Sequence, residues 1–314
     1  MKGAKTAVET CMNIKPEETV LIVTDTGKLK IAEAFAYAAT AVGAKTVITV
    51  MEKMSRSGEE PPRPVAEAMK ASDVVLIPTS RSLSHTDARR NATREGVRIA
   101  SMPGITEDMM SIGGLTADYH EIAELTHKVA EIVEKGKTVE VSTPSGTNLT
   151  MSIEGRTPQR DTGLYHNRGE WGNLPAGEVC LAPVEGTTQG TLVIDSMGAI
   201  VKQPVQISVE EGWARDFKGQ DATRLMEMLK SVDENAFNIG ELGIGTNPKA
   251  RVTGAVLEDE KVLGTVHIAL GDNTSYVGGH TKSGIHLDGI LFQPTVKVNE
   301  QLIMRDGKLL LNKL

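Results

Sequence analysis

Two cysteines, Cys11 and Cys180, are too few for a disulfide framework, and no CxxC joins them. They read as free thiols of a reducing compartment. Aromatic residues make up 3% of the chain, which leaves few platforms on which bases stack. Positive charge is not in excess either: 34 Lys and Arg against 41 Asp and Glu give −7. Nucleic acid and anionic membranes want concentrated positive charge, so neither is an expected partner. No apolar run approaches the ~20 residues of a membrane span. The opening MKGAKTAVETCMNIKPEET carries no apolar signal segment, and the expected location is the cytoplasm. Several catalytic signatures are missing as well. There is no GxGxxG after the first strand, no GxxxxGK[ST], no HExxH and no GxSxG.

What is present is a chain of 314 residues with 39% hydrophobic and 24% charged residues, ordinary for a soluble protein and long enough for two domains. The first part alternates strand and helix signals, an α/β pattern. TVLIVTD (19–25) is a continuous apolar run, as in a buried parallel strand. KTVITVM (45–51), SDVVLIPTS (72–80) and VRIASMPG (97–104) follow as further strands. Helices are expected over 28–43, 65–71, 85–96 and 120–136, the last from apolar spacing at Ile122, Leu125, Val129, Ile132 and Val133. After about residue 138 the pattern changes to short strands punctuated by Gly, Pro, Asn and Asp, with one clear helix over 221–232. The expected architecture is an α/β domain with a largely parallel sheet over residues 1–138, then a mostly β (α+β) metal-binding domain over 139–314.

Five polar residues of the second half sit in apolar, strand-like surroundings. They are Glu178 in NLPAGEVCLAP, Glu241 in ELGIGTNP, His267 in GTVHIALGDN, and His286 with Asp288 in IHLDGI. A carboxylate buried alone costs several kcal/mol, so a strand glutamate among apolar neighbours needs a partner. Two glutamates, two histidines and an aspartate suit Zn²⁺, Mn²⁺, Co²⁺ or Fe²⁺, and have enough donors for two adjacent ions. Apart from Cys180 there is no cysteine ligand nearby, which argues against a closed structural zinc site. Taken singly, each residue also fits a salt-bridged or solvated position. The period-two alternation of His286 and Asp288 fits a solvated strand face as well as a pocket. A second candidate set, His120, Glu124, His127 and Glu131, falls on one helical face opposite the apolar stripe and is read as solvated. His85 follows a buried parallel strand, at the end where α/β folds bind ligands.

In order, NLPAGEVCLAP, GELGIGTNP, TVHIALGDN and GIHLDGI resemble the aminopeptidase T family of metallopeptidases. The resemblance covers most of the second half, and SLSHTDARRNATREGVRIASMPG extends it more loosely into the first. It implies two divalent ions, Zn, Co or Mn, held by Glu178, Glu241, His267, His286 and Asp288. It also implies metal-assisted hydrolysis of N-terminal residues from a small peptide substrate, and a homodimer. His85, or a non-ligating carboxylate, would shuttle the proton. The family tyrosine falls on Thr274, a departure, with Tyr276 two residues further on. The same motifs are similar to a ring-cleaving branch, the dihydroxypyridine dioxygenases, which use one non-haem Fe(II). A histidine matching His85 has a catalytic role there. Retention of both glutamates and both histidines favours the two-metal aminopeptidase. The alternatives are the Fe(II) dioxygenase acting on a hydroxylated aromatic or pyridine, and a metal- or small-ligand-binding protein without catalysis.

Overall fold

The computed structural model describes residues 2–311. The chain divides into two compact units, and neither is one continuous stretch. The first comprises residues 1–123, 162–176 and 248–251; the second comprises 124–161, 177–247 and 252–314. The first break therefore falls within the helix Tyr119–Glu134, ahead of the expected position near 138.

The first unit is built on a five-stranded parallel sheet. In spatial order its strands are Lys45–Met51, Thr19–Asp25, Val74–Ile77, Arg98–Ser101 and Trp171–Asn173. The Thr19, Val74 and Arg98 strands have both faces covered, since from Val20 to Asp25, and throughout the other two, every residue is buried; this is why Val20–Val23 and Val74–Ile77 read as unbroken apolar runs. Helices Leu29–Ala41, Arg63–Lys70 and Asp87–Arg94 make the crossovers. The last begins where the Thr86 hydroxyl accepts from the Arg89 amide at 3.3 Å. Sequence periodicity locates four of these strands; the fifth returns from residue 171 and carries no local signal of membership.

The second unit holds two antiparallel sheets, one of eight strands and one of five. The expected hairpin is present as Thr138–Ser142 paired with Asn148–Ser152. The expected late helix is Ala222–Lys230. Apolar faces from both sheets and from the helix Tyr119–Glu134 share one core, including Val129, Val141, Leu192, Ile207, Leu225, Leu242 and Ile268. The five-stranded sheet runs His286–Leu291, Val266–Gly271, Ile239–Gly245, Glu178–Leu181 and Gln159–Asp161. Among the described residues no helix is long and apolar enough to cross a membrane.

Candidate metal centre

Register decides which side chains meet. Leu242 and Ile244, Val266, Ile268 and Leu270, and Val179 and Leu181 point into the core. The alternate residues of the same strands must then share the opposite face. Across that face Glu178 pairs with Gly245, Cys180 with Gly243 and His267, Glu241 with Ala269 and Asp288, and Gly271 with His286. All five residues expected to bind metal thus lie on one face of one sheet, and small residues separate them. Two glycines are needed for close approach rather than for an unusual backbone. A Cβ on Gly243 would lie 2.0 Å from the His267 ring, and one on Gly245 would lie 2.1 Å from the Val262 carbonyl oxygen.

The side chains converge. His267 Nε2 lies 3.2 Å from Glu241 Oε1 and 3.4 Å from Glu178 Oε2. His286 Nε2 lies 2.8 Å from Glu241 Oε2 and 3.2 Å from Asp288 Oδ1. His286 Nδ1 donates to the Asp272 carbonyl at 2.7 Å, which turns Nε2 toward the carboxylates. Glu241 is 2% exposed and His267 1%; the side chains of His286 and Asp288 are 31% and 14% exposed, at the mouth of the cluster.

Electrostatics follow from this crowding. Burial opposes the charge on His267, but the hydrogen bond and charge of Glu241, with Glu178 and Asp288, raise its pKa to about 9. For His286 burial again opposes, and Asp288 and Glu241 outweigh it, holding the imidazole well above its ordinary value. Burial would raise Glu241, yet the two imidazoles bring it well below the usual carboxylate range. Asp288 is lowered too, against burial, chiefly by the charge and hydrogen bond of His286.

A cation fits this donor set. With its Nδ1 proton given to a carbonyl, a neutral His286 presents the Nε2 lone pair to two carboxylates, an arrangement that a proton or a metal ion must bridge. Among the described residues, Glu178 Oε2 and His267 Nδ1 are buried and meet no hydrogen-bond partner. Two groups, Glu241–His286–Asp288 and Glu178–Cys180–Glu241, each bring ligand atoms within 4.8 Å of one another.

Three participants were not among the expected ligands. Cys180 shares the face with Glu178, its Sγ 3.8 Å from Glu178 Oε1. Burial, then Glu178 and Glu241, push its thiol well up. The two-residue spacing from Glu178 signals this placement in the sequence. Tyr276 packs beside the cluster, its ring 6.2 Å from that of His286. Burial, then the charge of Glu241, keep the phenol protonated. Thr274, where the aminopeptidase pattern places its tyrosine, is exposed and donates to Asp272 Oδ1 at 2.8 Å. Lys261, from a loop with no sequence signal, is buried with Nζ 2.5 Å from Glu178 Oε1. Burial works against its charge, but Glu178, Glu260 and Asp161 hold its pKa well above the usual value.

His85 belongs to the first unit. It lies in the turn before Asp87–Arg94, exposed, with its ring edge-on to Trp171 at 6.3 Å. His120, Glu124, His127 and Glu131 are all exposed on their helix, a solvated face.

Comparison with known proteins decides the family. The model of the NicX family, 2,5-dihydroxypyridine 5,6-dioxygenase, matches residues 2–311. The chain belongs to this family. A 2,5-dihydroxypyridine 5,6-dioxygenase of Pseudomonas putida is 23% identical over 193 residues, 56% of this chain and 55% of that protein, so the alignment spans little more than half of the relative's length. Two solved structures share the fold. The 2,5-dihydroxypyridine dioxygenase of Pseudomonas putida KT2440 superposes with a TM-score of 0.82 at 16% identity, covering 98% of this chain and 96% of the other. AmpT from Thermus thermophilus gives 0.72 at 17% identity, covering 98% of each. The NicX match overturns the expectation of a metallo-aminopeptidase, and with it the labels hydrolase and protease. Donor residues alone do not distinguish hydrolysis from oxygenation.

Proposed function

We propose that this NicX-family protein is a non-haem Fe(II) dioxygenase that opens a dihydroxylated pyridine or a closely related hydroxylated ring. The observation that carries the metal assignment is the convergence of His267 Nε2 and His286 Nε2 on Glu241, with Asp288 beside His286. Two imidazoles and a carboxylate are the donor set of Fe(II) oxygenases that keep coordination positions open. The family match directs the choice of chemistry toward O₂. His267 and His286, with Asp288 or Glu241, would hold the ion. A bound Fe(II) supplies open positions for substrate and the one-electron reactivity that O₂ requires.

The chain's own groups do the rest. The Asp272 carbonyl fixes the tautomer of His286. The Tyr276 ring, 6.2 Å from that of His286, packs beside the metal ligands. His85, an exposed imidazole, is the candidate acceptor for a substrate hydroxyl proton. In the overall reaction a ring C–C bond breaks and both atoms of O₂ enter the product, with no external reductant.

The test is oxygen uptake by protein reconstituted anaerobically with Fe(II) and supplied with 2,5-dihydroxypyridine. Uptake matching substrate loss, abolished in His286→Ala together with bound iron, is the expected result. His85→Ala should keep its iron and lose turnover by roughly 100-fold or more, the usual scale of general-base catalysis. No uptake by fully loaded protein, with this ring or other dihydroxylated rings, would refute the proposal.

A further inference from the structure

The sheet face offers donors for two cations, yet one of the two positions already has a cation of the protein's own. Lys261 Nζ lies 2.5 Å from Glu178 Oε1, 2.7 Å from Glu260 Oε1 and 3.7 Å from Asp161 Oδ2. Its side chain is 3% exposed. The ammonium, which can only donate, hydrogen-bonds to Glu178 and lies within ion-pair distance of Glu260 and Asp161, so its charge is met inside the protein rather than by water. The placement is built into the backbone. The Asn247 amide donates to the Lys261 carbonyl at 2.8 Å, and the Leu263 amide donates to the Asn247 carbonyl at 3.0 Å. Gly245, the cross-strand partner of Glu178, has no Cβ to keep this segment away.

A divalent ion held by Glu178, Cys180 and Glu241 would share Glu178 with this buried ammonium, and the two positive charges would repel at close range. Among the described residues, the second group, Glu241, His286 and Asp288, has no lysine or arginine as an ion-pair partner. We propose that Lys261 is a resident cation that neutralises Glu178 and takes the place of a second metal ion. The chain then holds one divalent ion, at His267 and His286 with Asp288 or Glu241, and Glu178 serves as the counter-ion of Lys261 rather than as a ligand. This rests on the metal-site reading above but not on the reaction assigned to it.

The test is anaerobic titration of the metal-free full-length protein with Co²⁺, followed by its d–d absorption and by equilibrium dialysis. Wild type and Lys261→Arg should bind one Co²⁺ per chain. Lys261→Met, which keeps the length and removes the charge, should acquire a second site. Because that variant places an uncompensated carboxylate cluster in the interior, Glu178→Gln is measured beside it. Its affinity for the single Co²⁺ should stay within about threefold of wild type, whereas losing a genuine ligand or its support costs ~10–100-fold. Two ions in wild type, one ion in a folded Lys261→Met, or a tenfold loss in Glu178→Gln would each overturn the proposal. Two ions with intact oxygen uptake would overturn it and leave the dioxygenase standing. One ion without uptake would do the reverse.

Discussion

Tyr276 is the residue on which the sequence pattern and the molecule part company. Position 274 carries a threonine where the peptidase pattern has its tyrosine, yet Thr274 turns to Asp272 and it is the Tyr276 ring that packs beside His286. The loop that does this is tied at several points. Asn273 Nδ2 donates to Glu185 at 2.8 Å, the Thr281 amide donates to Asn273 Oδ1 at 2.8 Å, and Arg156 pairs with the same Glu185. Tyr276→Phe keeps that ring and removes a phenol whose proton the charge of Glu241 helps to retain. It should therefore keep the fold and weaken Co²⁺ binding by roughly two- to tenfold, the scale of one net hydrogen bond of about 0.5–1.5 kcal/mol. Thr274→Val should leave it unchanged. Equal losses in both variants, read by the same titration, would mean that the tyrosine acts through loop structure alone. His286 and Asp288 were legible because two-residue spacing on a strand is rigid. Tyr276 was not, because spacing within a loop fixes no direction.

At the scale of the element, the sheet face is set by what is small on it. Gly243, Gly245 and Ala269 alternate with the donors, and the His267 ring lies across the space a Gly243 side chain would fill. Gly243→Ala should force that ring away from Glu241. Overpacking of this kind costs typically 1–3 kcal/mol, and the displaced imidazole should lower metal affinity at least tenfold. Unchanged affinity in the folded variant would show that His267 is not a ligand. The same strands explain why burial reasoning found the five donors but not Lys261. The donors sit within period-two patterns whose other members are core residues. Lys261 arrives after the short helix Val256–Asp259, where charge in a loop reads as solvent-facing until the tertiary structure buries it.

For the whole molecule, strand and helix signals located the α/β and β-rich parts, because runs such as 19–25 are buried on both faces and later strands such as Thr138–Ser142 and Val205–Glu210 on one. The returning segments 162–176 and 248–251 were invisible, since membership of a unit is a matter of long-range contact and leaves no mark on a short stretch. Function was the least legible level. One set of donors serves a hydrolase or an oxygenase, and what separates them is how many ions bind and what remains open around them. The most direct measurement is turnover of the Fe(II)-loaded protein with 2,5-dihydroxypyridine under ¹⁸O₂, with the product examined by mass spectrometry. A dioxygenase puts two ¹⁸O atoms into the ring-opened product. A product labelled only from water, or an intact ring with no O₂ consumed, would contradict the account.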